Sequence, residues 1–153
     1  VHLERTVVVV SSKSGSTVET DSQKRAFESA FAASGINAAE RIVIVTDPGS
    51  PLDQASREAG YRVFNADPNV GGRYSALTAF GLVPSGLAGA DLSQLLASAV
   101  SASSALQYDS EDNPAIWLAS AMAGDPASWD KFLIESDVYP GFGDWVEQLV
   151  AEI

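Results

Sequence analysis

Cysteine is absent from the 153 residues of this chain, so neither a disulfide framework nor a zinc site with cysteine ligands can form. The redox environment is therefore not indicated, and the cytoplasm is the default expectation. Positive charge is also scarce, because nine Lys and Arg stand against 20 Asp and Glu and leave a formal net charge of −11. So acidic a chain is poorly suited to nucleic acid or to an anionic membrane surface, and neither is expected as a partner.

Long apolar runs are missing as well. No stretch approaches the roughly 20 apolar residues that a membrane-spanning helix needs, and no cleavable leader is recognisable at the start. Hydrophobic residues make up 46% of the chain, which at this length supports one ordinary domain with its own core. Because the chain starts at Val1 rather than at a methionine and stops abruptly at Ile153, we interpret it as a piece of a longer protein.

Apolar runs alternate with helix-like stretches in the first part of the chain. The runs at 5–11, 41–46 and 61–64 predict strands, and the segments 17–34 and 51–59 predict the helices between them. Continuous apolar runs are typical of parallel strands that are covered on both faces. This order predicts an α/β domain in which helices flank a parallel sheet, with a ligand at the carboxyl ends of the strands.

The second part of the chain has a helical pattern. Helices are predicted at 91–106, with Asp91 as the cap, at 113–123, with Asn113 as the cap, and at 140–152. The first of these helices is expected to turn a set of apolar side chains towards a core, namely Leu92, Leu95, Leu96, Ala99 and Val100.

The first predicted strand ends in a serine-rich loop, residues 12–17, with the sequence Ser12-Lys13-Ser14-Gly15-Ser16-Thr17. Such a loop offers backbone N–H groups, hydroxyl donors, a lysine and the positive end of a helix dipole to a phosphate. It lacks the order of a Walker loop, in which the lysine and hydroxyl follow a second glycine. We predict a site for a phosphorylated small molecule, with simple helix capping by Ser16 or Thr17 as the alternative interpretation.

A glycine turn, residues 71–75, follows the third predicted strand. Gly71 and Gly72 would let the backbone come close to a ligand, and Arg73 supplies a cation at a neighbouring strand end. The alternative interpretation is a turn with a solvated arginine. Because the net charge is strongly negative, Lys13 and Arg73 carry unusual weight in any site for an anion.

Gln148 and Glu152 lie four residues apart and share one face of the last predicted helix. An amide beside a carboxylate could support proton transfer. A glutamate in the last helical turn is nevertheless ordinarily solvated, and the helix dipole disfavours its charge there. The residues alone therefore favour a solvated Glu152.

Three segments together resemble, in order and spacing, two signatures of the glucose-6-phosphate isomerase family: residues 12–20, 71–75 and 81–84. Residues 148–152 resemble the beginning of a family pattern like Gln-x-x-x-Glu-Ser-x-Gly-Lys. The resemblance implies a sugar isomerase (SIS) fold, which is a three-layer, flavodoxin-like α/β arrangement of a parallel sheet flanked by helices.

The resemblance implies one partial SIS domain over residues 1–153, with an α/β part at 1–88 and a helical part at 89–153. An earlier glycine-rich strand end of the family, and later histidine and lysine residues, have no counterpart here. Ile153 also stands where the family pattern has a serine. We therefore expect an incomplete domain that turns over little or no substrate by itself.

The resemblance also implies a reaction, the aldose–ketose interconversion of glucose 6-phosphate and fructose 6-phosphate in glycolysis and gluconeogenesis. This intramolecular oxidoreduction passes through a cis-enediolate and is expected to need neither metal nor organic cofactor. The implied roles are phosphate binding by Ser12, Lys13, Ser14 and Thr17 in the loop that also holds Gly15 and Ser16, enediolate stabilisation by Arg73 beside Gly72, and proton transfer by Glu152 with Gln148 near it.

Two further interpretations stay open. One is a non-catalytic SIS module that binds a sugar phosphate, and the other is a structural half-domain whose loops only cap helices. A sugar phosphate is the expected small-molecule partner. An unpaired sheet edge invites association, so the sequence leaves a homodimer open.

Overall fold

The computed structural model describes residues 1–124 and 133–151. The chain divides into two compact units, Val1–Ala90 and Asp91–Ile153. In the part of the chain that the structure describes, no helix is long and apolar enough to cross a membrane.

The described residues of the first unit form a three-stranded parallel sheet in the order β1-β2-β3. Its elements are β1 (Val8–Ser11), α1 (Val18–Ala33), β2 (Ile42–Thr46), α2 (Pro51–Glu58) and β3 (Arg62–Asn65). The predicted α/β fold, with parallel strands flanked by helices, is thus confirmed. The first strand is shorter than the predicted 5–11, because Arg5 belongs to a 3-10 turn and pairing with β2 begins only at Val8.

The register brings the ends of the strands to one edge of the sheet. Ser11 pairs with Val45, and Thr46 pairs with Asn65, so the three following loops leave from neighbouring points. The core beneath them consists of Val10, Ile42 and Ile44 together with Phe31 of α1. Each such side chain stabilises the fold by about 1.5–3 kcal/mol on full burial, which makes the sheet a firm base for the loops.

A further helix of this unit, α3 (Ala79–Leu87), was not predicted from the sequence. It contains Pro84, and Gly81 lies so close to the preceding turn that a Cβ there would sit 2.0 Å from the carbonyl oxygen of Ala76. A side chain at position 81 would therefore push α3 away from the turn that precedes it.

The second unit contains three helices among its described residues, α4 (Leu92–Leu106), α5 (Pro114–Ala123) and α6 (Phe142–Ala151). The predicted caps are present, because Asp91 accepts the N–H of Gln94 at 3.0 Å and Asn113 accepts the N–H of Ala115 at 2.8 Å.

The predicted inward face of α4 is wrong in part. Leu95, Leu96 and Val100 are 40%, 39% and 66% exposed. The apolar spacing is that of a helix face which packs against a partner, but nothing within the described residues covers these three side chains fully. Spacing alone predicts which residues share a face, not whether another element covers it.

Candidate functional site

Lys13 joins the loops that follow all three strands. Its ammonium lies 3.0 Å from Oδ1 of Asp47, after β2, and 3.5 Å from the backbone oxygen of Asp67, after β3. It also lies 5.6 Å from the ring centroid of Phe80 in α3. A Cβ on Gly72 would sit 3.9 Å from Cδ of Lys13. The structure therefore brings the serine-rich loop against the glycine turn, as the parallel topology predicts.

The base of the serine-rich loop is fixed by β2. The buried hydroxyl of Thr46 donates to the carbonyl of Ser12 at 2.6 Å, and the N–H of Ser12 donates to the carbonyl of Val45 at 3.0 Å. Thr46 also lies 2.9 Å from the hydroxyl of Ser50, which caps α2. Because the Thr46 proton serves Ser12, Ser50 is the donor in this second contact.

The hydroxyl-bearing residues of the serine-rich loop differ in burial. Ser12 is buried, and its oxygen accepts the N–H of Gly15 at 3.1 Å and lies 3.4 Å from that of Thr17. Ser14 and Ser16 are exposed, with their hydroxyl oxygens 2.7 Å apart. Ser12 therefore shapes the loop, while Ser14, Ser16 and Thr17 present hydroxyls at its surface.

The amino end of α1 follows this loop directly. Thr17 is its N-cap, but in the described structure the Thr17 side chain makes no capping hydrogen bond. Capping by the Thr17 side chain is thus not seen there, and the first N–H groups of α1 are left to water or to a ligand. Asp21, in the first turn, is paired at 3.0 Å with Arg25.

The glycine turn continues into a 3-10 helix over Gly72–Leu77. The buried Ser75 hydroxyl donates to the carbonyl of Gly72, which closes the turn on itself. Arg73 is half-buried, and its guanidinium carbon lies 5.3 Å from the ring centroid of Tyr74. The arginine is therefore partly withdrawn from water at the edge where Lys13 lies.

The two residues predicted near the end of the chain are not tested by this geometry. Gln148 is exposed on α6, and Glu152 lies outside the described residues. The roles of both stay predictions.

A cavity of about 620 Å³ lies within the second unit, between residues 133–141 and α6. Four of its lining residues are acidic: Glu135, Asp137, Asp144 and Glu147. A negative lining of this kind repels a phosphate, so the cavity is a poor match for the predicted ligand.

Thr46 and Asp47 also belong to this edge, although neither was predicted from the sequence as part of the site. Thr46 ends a predicted strand and Asp47 follows it directly. Because the carboxyl ends of parallel strands share one edge, this position was a usable signal.

No protein-family profile matches the chain. The glucose-6-phosphate isomerase of Synechococcus sp. (strain JA-3-3Ab) is 41% identical over 121 residues, covering 78% of this chain and 23% of that protein. The glucose-6-phosphate isomerase of Cyanothece sp. (strain PCC 7425) is 35% identical over 156 residues, covering 98% of this chain and 30% of that protein. The chain belongs to the glucose-6-phosphate isomerase family.

A solved structure supports the same arrangement of elements. A hypothetical protein from Thermus thermophilus superposes with a TM-score of 0.75 at 34% identity, covering 80% of this chain and 30% of that one. This member of the glucose-6-phosphate isomerase family spans 23% to 30% of the length of the two relatives described above. Their names describe longer proteins.

Proposed function

We propose that this chain carries the phosphate-binding loop and the enediolate-stabilising arginine of an isomerase that interconverts glucose 6-phosphate and fructose 6-phosphate. The observation that supports this most directly is the approach of Lys13, in the serine-rich loop, to Gly72, next to Arg73. The names of the relatives supply the reaction. The proposal includes a cytoplasmic protein of glycolysis and gluconeogenesis, and it leaves a homodimer open.

The serine-rich loop binds the phosphate of the sugar. Hydroxyls of Ser14, Ser16 and Thr17 face the surface, and the amino end of α1 adds N–H donors and the positive end of its dipole. In a chain of net charge −11, such local donors must outweigh an unfavourable overall field. Binding energy from the phosphate then orients the reacting carbons, which lie several bonds away.

Arg73 and Glu152 carry the chemistry in this proposal. The carboxylate of Glu152 removes the proton from C2 and returns it to C1, and the hydroxyl proton passes from O2 to O1. The guanidinium of Arg73 offsets the negative charge of the cis-enediolate between these steps. Gln148, four residues before Glu152 in the sequence, hydrogen-bonds near the carboxylate.

A ¹⁵N-HSQC titration of the chain with glucose 6-phosphate tests the binding step. We expect saturable shifts in residues 12–17 and around Arg73. Inorganic phosphate is expected to shift residues 12–17 alone, and glucose to shift neither group. Signals that are dispersed but do not move with glucose 6-phosphate would contradict the proposed site.

Paired variants separate ligand binding from helix capping. Ser14→Ala with Thr17→Ala removes two loop hydroxyls, and we expect about tenfold weaker binding from their loss. Ser22→Ala with Ser29→Ala, at two exposed positions of α1, is the matched control and should bind normally. If the loop pair loses stability but keeps its affinity, the loop only caps the helix.

The catalytic step needs a separate test in the longer protein. Glu152→Gln should abolish turnover and leave phosphate binding largely unchanged, because an amide cannot accept the C2 proton. Retained turnover would show that another group is the base. If the longer protein binds glucose 6-phosphate but does not turn it over, the non-catalytic SIS module is favoured.

A further inference from the structure

We propose that Asp47 is a positioning residue of this site. It holds the ammonium of Lys13, and thereby keeps the serine-rich loop against the glycine turn, both before and after the phosphate binds. The inference rests on the sugar-phosphate site proposed above. It assigns a role to a carboxylate that at first sight opposes the binding of an anion.

Residue 47 holds Lys13 at two points. Its carboxylate accepts from the Lys13 ammonium at 3.0 Å, and its backbone N–H donates to the Lys13 carbonyl at 3.3 Å. The two side chains are 29% and 20% exposed, so water screens this pair less than it screens an ion pair on the open surface. The side chain and the backbone of Lys13 are therefore both held by Asp47, the residue that follows β2.

The remaining surroundings of the ammonium are also electron-rich. The carbonyl oxygen of Asp67 lies 3.5 Å from Nζ, and the ring of Phe80 lies 5.6 Å away. A carboxylate, a carbonyl and a ring face thus compensate the lysine charge. A phosphate that took Lys13 as its counter-ion would have to displace Asp47 or accept its repulsion.

These contacts assign the two cations of the site to different tasks. Lys13 connects the loops after β1, β2 and β3 with α3, and its stem lies beside Gly72. The phosphate is left to the surface hydroxyls and the N–H groups of α1, and the charge of the enediolate is left to Arg73. Loss of the Lys13–Asp47 pair would let the loop and the turn separate, and the phosphate and the enediolate could then no longer be held together.

The two possible roles of Lys13 predict opposite effects for Asp47→Asn. If Lys13 is the counter-ion of the phosphate, Asp47 competes with the ligand, and its neutralisation strengthens binding. If Asp47 positions the loop through Lys13, its neutralisation weakens binding although a negative charge has been removed. The sign of the change in affinity therefore decides between them.

The first experiment needs no ligand. ¹⁵N-HSQC spectra of Asp47→Asn are compared with those of Asp21→Asn, which neutralises the carboxylate of another 3.0 Å ion pair in the first turn of α1. We expect the amide signals of residues 71–75 to move in Asp47→Asn and to stay in place in Asp21→Asn. Unmoved signals of the glycine turn in Asp47→Asn would overturn the proposal.

The second experiment measures glucose 6-phosphate binding by the same variants, each under conditions where its HSQC spectrum shows it to be folded. Asp47→Asn and Lys13→Met are each expected to weaken binding about three- to tenfold, and the double variant no more than either alone, as for two partners in one interaction. Asp47→Glu, which keeps the charge, should recover part of the affinity. Tighter binding by Asp47→Asn would overturn the proposal.

The lysine itself provides a direct spectroscopic readout. The ¹⁵Nζ signal of Lys13 should stay nearly constant when glucose 6-phosphate saturates the chain, and a large shift would show that the ammonium contacts the phosphate. If the unmodified chain does not bind glucose 6-phosphate at all, the proposed function fails. The ligand-free comparison of the two Asp→Asn variants still decides the role of Asp47.

Discussion

Gly15 and Leu52 approach so closely that a Cβ on Gly15 would lie 2.4 Å from Cβ of Leu52. Gly15 also has a φ of 72°, a conformation that other residues rarely adopt. Leu52 lies in the first turn of α2, so this contact presses the serine-rich loop against the amino end of that helix. The loop is therefore confined by α2 on one side and by the Thr46 hydroxyl at its base.

Gly15→Ala should destabilise the chain more than Gly35→Ala does. Gly35 has a similar φ of 69°, but no atom of the described structure lies within 4 Å of a Cβ built there. Backbone strain is therefore common to both variants, while overlap with Leu52 adds about 1–3 kcal/mol to the first. Urea denaturation of both variants measures the difference. Equal losses would mean that Leu52 yields without cost.

Thr46→Val should displace the serine-rich loop, because valine keeps the shape of the side chain but leaves the Ser12 carbonyl without its 2.6 Å donor. We expect a loss of about 1–3 kcal/mol for the unsatisfied group. Thr46→Ser keeps the hydroxyl and is the control. HSQC spectra should show amide shifts at residues 12–15 in Thr46→Val alone, and an unmoved loop in Thr46→Val would contradict the proposed link.

The edge of the sheet where the proposed site lies could be predicted because it depends only on the strands being parallel. Three continuous apolar runs separated by helices predict parallel strands, and the carboxyl ends of parallel strands meet at one edge of the sheet in any strand order. The serine-rich loop and the glycine turn were placed correctly on that ground. Contacts between side chains were not predictable in this way, since Lys13 and Asp47 lie 34 positions apart and their 3.0 Å approach depends on the exact register.

Helix α3 was missed for a different reason. Gly81 and Pro84 are poor helix formers, so local propensity argues against a helix at 79–87. Packing overrides propensity here, because only a residue without a side chain fits against Ala76 at position 81. Conversely, local spacing on α4 predicted a buried face at Leu95 and Val100 that the described residues do not cover.

Asp53 should make folding of the first unit sensitive to acid. The N–H of Gly49 lowers the pKa of the Asp53 carboxyl most, burial opposes this, and hydrogen bonds with Arg57 and Asn65 lower the pKa further. A carboxyl with a lowered pKa stabilises the folded chain above its ordinary value of 3.8, and this contribution is lost as the pH falls through the lower folded value. In urea titrations, the stability difference between the unmodified chain and Asp53→Asn should therefore shrink as the pH falls below 3.8. A difference that stays constant into strong acid would contradict the assignment.

Glu28 joins α1 to the start of β3 through a cluster with Lys24 and Tyr61. The Lys24 ammonium lies 2.7 Å from Glu28 Oε1 and 5.1 Å from the Tyr61 ring centroid, and the Tyr61 hydroxyl donates to the same carboxylate. Burial raises the pKa of Glu28, but hydrogen bonds from Lys24 and Tyr61 and the charges of Lys24 and Arg25 bring it below its ordinary value. The cluster thus holds an ionised glutamate against a neutral tyrosine.

Tyr61→Phe should lose about 1 kcal/mol of stability, as expected for one hydrogen bond to a charged acceptor in a partly exposed place. Burial first, then the hydrogen bond to Glu28 and its charge, raise the pKa of Tyr61 from 10.0 to about 12. A group with a raised folded pKa stabilises fully below its unfolded value, and this contribution is lost as the pH rises through the folded value. The difference in stability between the unmodified chain and Tyr61→Phe should therefore be constant below pH 10 and shrink towards pH 12.

Absorbance titration of the four tyrosines checks the raised pKa of Tyr61 independently. One tyrosine should ionise late, Tyr61→Phe should abolish that step, and Tyr108→Phe, at a position 70% exposed, should leave it intact.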